Sequence, residues 1–299
     1  MKAAGAFLFA VAVIAATVYF MLPSDSPAAS APPPTPTTQS ALEKAKDRAE
    51  KELAADDAAV AARPPGLADP EKKELAQRLV ASAQHSTTDW RSTYGAVDDE
   101  GDGCGYTAGI VGFCTATHDL LALVETYTEE HPDNGLAPYL PALREVDGTD
   151  SHEGLDPGFP AAWETEAKTA EFRAAQQAER DQRYFDPAVR LAKLDGLGTL
   201  GQFVYYDAMV LHGPGIEPGG FYDIRERALA EAETPAAGGS EETFLNAFLD
   251  VRRATLLERR PDPDASRVDT AQRLFLKAGN LDLDTPLEWD IRGEHFTLP

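Results

Sequence analysis

The run PAVRLAKLDGLGTLGQFVYYDAMVL, Pro187–Leu211, decides the fold. Leu191, Leu194, Leu197, Leu200, Val204, Ala208 and Leu211 recur at three- and four-residue steps, the spacing that lines one stripe of an α-helix. The spacing predicts one long helix over 187–211, apolar enough to be the spine of a helical core. Asp186-Pro187 ahead of it pairs a capping side chain with a first-turn proline. Gly213 stands just past it as a C-terminal stop.

Working outward, further helices are expected at 161–183, 222–233, 241–259 and 267–278, with Ser240 capping the third and Gly279 stopping the last. Toward the N-terminus, Asp69-Pro70 opens a helix over 70–82, with Gln84 at its end, and a helix over 116–130 stops at His131-Pro132. Between these two, Tyr94–Phe113 is dense in glycine and alternates from Tyr106, the pattern of a small β-hairpin or sheet with tight turns. It is the one β region the sequence announces. There is no internal repeat and no alternation of strand with helix, so the fold class is mainly α with a small β element on its N-terminal side.

The chain divides into three parts. Lys2 precedes an apolar run, Ala3–Leu22, and residues 1–22 are read as a signal peptide or an uncleaved signal anchor, since about 20 apolar residues suffice to span a bilayer. Residues 23–65 are a Pro/Ala-rich linker, extended over Ala31–Thr38, and a charged stalk whose helical stretch Leu42–Ala62 has almost only alanine to bury. Residues 66–299 form the main domain. Either reading of the N-terminus predicts a secreted protein, or a membrane-anchored one facing outward, in an oxidising compartment.

Fifty Asp plus Glu against 27 Lys plus Arg give a formal charge of -23, which disfavours nucleic acid and anionic lipid and favours a cationic partner. The two cysteines, Cys104 and Cys114, are too few for a disulfide framework and lack zinc-site spacing, though one disulfide between them is open. No phosphate loop, dinucleotide fingerprint, HExxH or serine elbow occurs, and Gly213-Pro214-Gly215 after His212 lacks the lysine of a phosphate site. Neither a cofactor nor a metal is expected, and the chain is read as a monomer. Gly101-Asp102-Gly103-Cys104-Gly105-Tyr106-Thr107 places an acid in a glycine-rich turn, and by itself that reads as an ordinary turn.

From Leu67 to about Trp289 the chain resembles the chitosanases of glycoside hydrolase family 46, within the lysozyme-like superfamily. The resemblance rests on strings in one order: Asp89-Trp90, Gly101–Gly103 with Gly105–Thr107, Gly112–Cys114, Tyr139–Leu143, Tyr184–Val189, Gly201–Phe203, Tyr205–Ala208, His212–Gly215, Leu245–Asp250, Ser266–Thr270 and Phe275–Leu283. It implies a two-lobed, lysozyme-like helical domain with its β element beside a substrate cleft. It also implies endo-hydrolysis of β-1,4-linked glucosamine polymer with inversion, by a carboxylic acid that protonates the leaving oxygen and a carboxylate that activates water. Carried over by position, the base is Asp102, Thr107 helps to hold the water, Asp119 binds substrate amino groups, and Trp90, Asp207, Arg252 and Arg267 form a supporting network.

Two positions depart from the pattern. Where the resemblance places the glutamic acid that donates the proton, this chain has Gln84, and an amide cannot donate that proton. Loss of a positioned general acid removes about 10²–10⁴-fold in rate. Cys104 stands where the resemblance places an arginine beside the base. Three readings of Gln84 stay open: an engineered trap, which the retained export segment argues against; a substitute acid such as His85, Asp99 or Glu100; or a weakened or inactive protein that binds chitosan or cell-wall polysaccharide.

Overall fold

The computed structural model describes residues 36–259 and 264–299, with side chains from residue 43 to 258 and from 264 onward. The expected signal segment 1–22 lies outside these residues. Helix α1 (Pro36–Ala61) begins inside the stretch expected to be extended, so Pro36, Thr37 and Thr38 belong to it. A first compact unit ends at Lys51, within α1, and the second, Glu52–Pro299, holds every other element. No described helix is long and apolar enough to cross a membrane.

In the second unit, α2 (Pro70–His85) starts as expected, with the Asp69 carboxylate accepting from Glu71 N at 2.9 Å and Pro70 in the first turn. Three short strands follow, β1 (Val97–Asp98), β2 (Thr107–Ala108) and β3 (Phe113–Cys114), paired antiparallel in that order. Then come α3 (Asp119–Glu130), α4 (Leu140–Val146), α5 (Phe159–Glu166), α6 (Ala170–Arg180), α7 (Asp186–Leu194), α8 (Thr199–His212), α9 (Phe221–Glu231), α10 (Glu241–Arg259) and α11 (Arg273–Lys277). The chain closes with a hairpin of β4 (Leu287–Ile291) and β5 (Glu294–Leu298).

The predicted spine is two helices. Gly196 takes φ 82°, and the amide of Leu197 returns to Ala192 O at 2.9 Å, which ends α7 in a Schellman turn. A Cβ at Gly196 would meet Ala236 N at 2.8 Å, so glycine is required there and the turn cannot straighten. The central element is therefore α8, buried on nearly all sides. Its Tyr206 hydroxyl reaches Gln77 on α2, and its Tyr205 ring packs edge-on to Phe221 of α9 and tilted against Phe248 of α10.

The helix expected over 161–183 is also interrupted: Thr169 caps α6 by accepting from Phe172 N at 3.2 Å. Asp186 does not cap α7 as expected, because a π-turn, Asp181–Phe185, runs from α6 straight into it. A second π-turn, Arg267–Gln272, leads into α11. The C-terminal hairpin was not expected. Its turn places Arg292 at φ 51° and Gly293 at φ 81°, the two positive angles of a type I′ turn. Leu287, Trp289, Ile291, Phe296 and Leu298 point into the core, and the Trp289 indole donates to Ser82 Oγ on α2 at 3.0 Å.

Candidate active site

The β1–β2 pairing joins Asp98 to Thr107, so residues 99–106 form its loop and Asp102 sits at the middle of it, exposed. Acidic side chains build that loop by taking backbone amides: Asp99 Oδ1 from Gly101 N at 2.8 Å, and Asp102 Oδ1 from Cys104 N at 3.0 Å. Gly101, Gly103 and Gly105 all take positive φ. At Gly105 a Cβ would lie 2.3 Å from Thr115 Oγ1, so the turn closes down onto the residue after β3.

Gln84, in the last turn of α2, and Thr107, on β2, flank Gly112. A Cβ at Gly112, φ 75°, would stand 2.8 Å from Thr107 Cγ2 and 3.2 Å from Gln84 Nε2. The Gln84 amide is committed at both ends: Nε2 donates to Val111 O at 2.6 Å, and Oε1 accepts from Arg267 Nη2. His85 points elsewhere, with its Nε2 at 3.0 Å from Gly109 O. Burial holds the imidazole below its ordinary range, against the Gly109 carbonyl, and the Arg267 charge adds to the depression. The ring nitrogen facing that carbonyl donates to it. Of the other acids considered, Asp99 accepts from Gly101 N through Oδ1 and has His152 Nε2 3.3 Å from Oδ2, while Glu100 is exposed at the rim of the loop.

Behind Gln84 lies a buried charged cluster. Asp207 on α8 accepts from Arg252 Nη2 at 2.7 Å, Arg267 Nη1 at 2.9 Å and Gln272 Nε2 at 2.7 Å. Arg252 is fully enclosed and also donates to Gln272 Oε1 at 2.8 Å and His212 Nε2 at 3.2 Å. Burial alone would push the Asp207 carboxyl up, but the Arg267 and Arg252 guanidiniums outweigh it and hold it below the usual carboxylate range. Arg267 is the link: one nitrogen holds Asp207, the other holds Gln84. Its partner Gln272 is five residues on, which in an α-helix would turn it about 140° away. The π-turn brings positions five apart over one another, so both side chains reach one carboxylate.

Trp90, grouped with this network by sequence, makes its contacts elsewhere. Its indole donates to Glu74, 3.2 Å from each carboxylate oxygen, and its ring lies under the Arg91 guanidinium at 4.2 Å. Asp119, expected to meet substrate amino groups, is 2% exposed at the N-terminus of α3. Its Oδ1 accepts from Cys114 N at 2.8 Å, Thr117 Oγ1 at 2.7 Å and Leu120 N at 3.0 Å, and its Oδ2 from the Tyr184 hydroxyl. Burial, with the Asp119 charge beside it, pushes the Tyr184 hydroxyl well up, so it remains a donor. An amino group arriving at Oδ2 competes with that hydroxyl.

Cys104 and Cys114 are both free thiols, packed side by side across the turn. Gln272, Tyr184 and the Val111 carbonyl were not singled out by sequence. Nothing in their local spacing marks them, because each meets its partner only through tertiary structure. Among the described residues no group of His, Cys, Asp and Glu is placed to hold a metal.

The glycosyl hydrolase family 46 profile matches residues 78–287. A chitosanase from Streptomyces sp. (strain N174) is 55% identical over 233 residues, 78% of this chain and 84% of that protein. A chitosanase from Bacillus subtilis (strain 168) is 37% identical over 227 residues, 73% of this chain and 81% of that protein. The structure described as a co-crystal of chitosanase OU01 with substrate superposes with a TM-score of 0.77 at 48% identity, covering 79% of this chain and all of that one.

Proposed function

The chain belongs to glycosyl hydrolase family 46, and from that premise we propose that it cleaves chitosan at internal β-1,4-glucosamine linkages outside the cell, with inversion, and slowly. The observation that carries the last word is the Gln84 amide, held at both ends where a proton donor is needed. In this reading Asp102 takes a proton from a water that the Thr107 hydroxyl orients, and the water attacks the anomeric carbon on the face opposite the leaving oxygen. The leaving oxygen must draw its proton from solvent, because a neutral amide has none to give. The rate then falls about 10²–10⁴-fold below that of an enzyme with a carboxylic acid in place. Asp119 receives a substrate amino group at Oδ2 by displacing the Tyr184 hydroxyl, and the formal charge of -23 concentrates the polycation near the cleft.

A second reading, a protein that retains chitosan or cell-wall polysaccharide without cutting it, is favoured by one further observation. The neighbouring imidazole is also tied down, and burial disfavours its protonated form. Reducing-end release from soluble chitosan, measured beside chitosan binding, separates the two. The expected result is binding with slow release, abolished by Asp102→Asn and accelerated by Gln84→Glu. Fast release by the unaltered chain would show that another group donates the proton. Binding with no release at all, restored only by Gln84→Glu, would establish the second reading.

A further inference from the structure

The turn that carries Asp102 meets the strand β3 where Cys104 lies against Cys114. The Cys104 carbonyl accepts from Cys114 Sγ at 3.0 Å, from Thr115 Oγ1 at 2.8 Å and from Ala116 N at 3.1 Å. Three donors from β3 and the residues after it thus converge on the residue two places past Asp102. The same Cys104 donates its amide to Asp102 Oδ1. Cys114 is buried and Cys104 half-buried, so the pair lies within a closed contact whose outer edge reaches solvent. We propose that Cys104 and Cys114 are a redox-active pair that closes to a disulfide and pins the Asp102 turn to β3.

The two sulfurs already divide the work of such a reaction. The neighbouring Cys114 side chain, together with burial, holds Cys104 up as a thiol. The Cys104 side chain, against burial, holds Cys114 below its ordinary range, and when Cys114 gives up the proton it shares with the Cys104 carbonyl it becomes the thiolate, the form that attacks oxidants. With a hydroperoxide as oxidant, the Cys114 sulfur attacks one peroxide oxygen. The O–O bond breaks, the departing hydroxide takes up the proton Cys114 lost, and a sulfenic acid remains. The Cys104 sulfur then attacks the sulfenic sulfur, the S–O bond breaks, and the hydroxyl leaves as water with the Cys104 proton. Two thiols lose two electrons and hydrogen peroxide becomes two waters.

The link joins residues ten apart and ties the loop, at its C-terminal side, to the last strand of the sheet. The chemistry of the pair is independent of any glycan, so its test uses no substrate. The full chain is titrated with hydrogen peroxide, and thiols are counted by alkylation and intact mass. One equivalent should remove both alkylatable thiols, reversibly with a phosphine. Amide hydrogen exchange over 101–106 should slow, and Tm should rise by roughly 5 °C. Cys104→Ser, altered at the less buried partner, should instead accumulate a dimedone-reactive sulfenic acid on Cys114, with no rise in Tm. Two alkylatable thiols surviving peroxide, a link formed only between two molecules, or a Cys104→Ser protein inert to dimedone would overturn the proposal.

Discussion

Replacing Asp207 with asparagine tests the buried cluster behind Gln84 at its centre. The carboxylate is 2% exposed and neutralises two guanidiniums, one fully enclosed, while accepting from Gln272 as well. Asparagine removes the only negative charge in these contacts and turns one acceptor into a donor aimed at a donor. Breaking a buried pair in this way costs about 3–5 kcal/mol. In a domain of this size that corresponds to a fall in Tm of about 10 °C. Urea unfolding followed by circular dichroism, with the slope unchanged, measures it. Arg253→Ala, on α10, is the comparison: its ion pair with Asp269 of the second π-turn is half-exposed and should be worth less than about 1 kcal/mol. If Asp207→Asn costs no more than Arg253→Ala, the cluster is not held by charge compensation and the account of Arg267 fails with it.

Gly112→Ala places a methyl between Thr107 and Gln84 at positive φ and should cost about 2 kcal/mol, seen in the urea midpoint, while weakening chitosan hydrolysis; an unchanged midpoint would mean the strand ends give way freely. Because Asp207 is held below its ordinary range, its contribution is full above the unfolded value of about 4 and is lost as pH falls through the folded value; Asp207→Asn should flatten that acid limb. For His85 the folded value is depressed, so the unfolded ring takes its proton first and stability declines as pH drops below about 6.5; urea midpoints of His85→Gln should lack this decline, and retention of it would assign the slope to another group.

The mainly helical class, the cap at Asp69, the start of α10 at Glu241 and the glycine-rich sheet were all legible because each rests on neighbours in sequence. The long stripe over 187–211 misled, since apolar spacing continued across a glycine that the packing of Ala236 forces into a left-handed turn. The π-turns escaped for a related reason: 3.6-residue periodicity cannot announce a turn of a different pitch, and those two turns deliver Tyr184 to Asp119 and Gln272 to Asp207. Of the residues that resemblance grouped as a network, Asp207, Arg252 and Arg267 touch one another, while the Trp90 indole donates to Glu74. The C-terminal hairpin did carry a local signal, alternating Leu287, Trp289 and Ile291 before Arg292-Gly293, which the helical pattern around it obscured.

That hairpin also sets the order in which the protein can mature. The Trp289 indole seals against Ser82 across 207 residues of sequence, and Lys72 reaches the Leu283 carbonyl across 211. As the chain emerges from a ribosome, α2 is made early and must wait for nearly the whole domain before its inner face is covered. Contacts of such long separation slow folding and leave apolar surface open in the meantime. A nascent chain halted before β4 therefore holds α2 without its lid, a ready client for chaperones until the hairpin has been made.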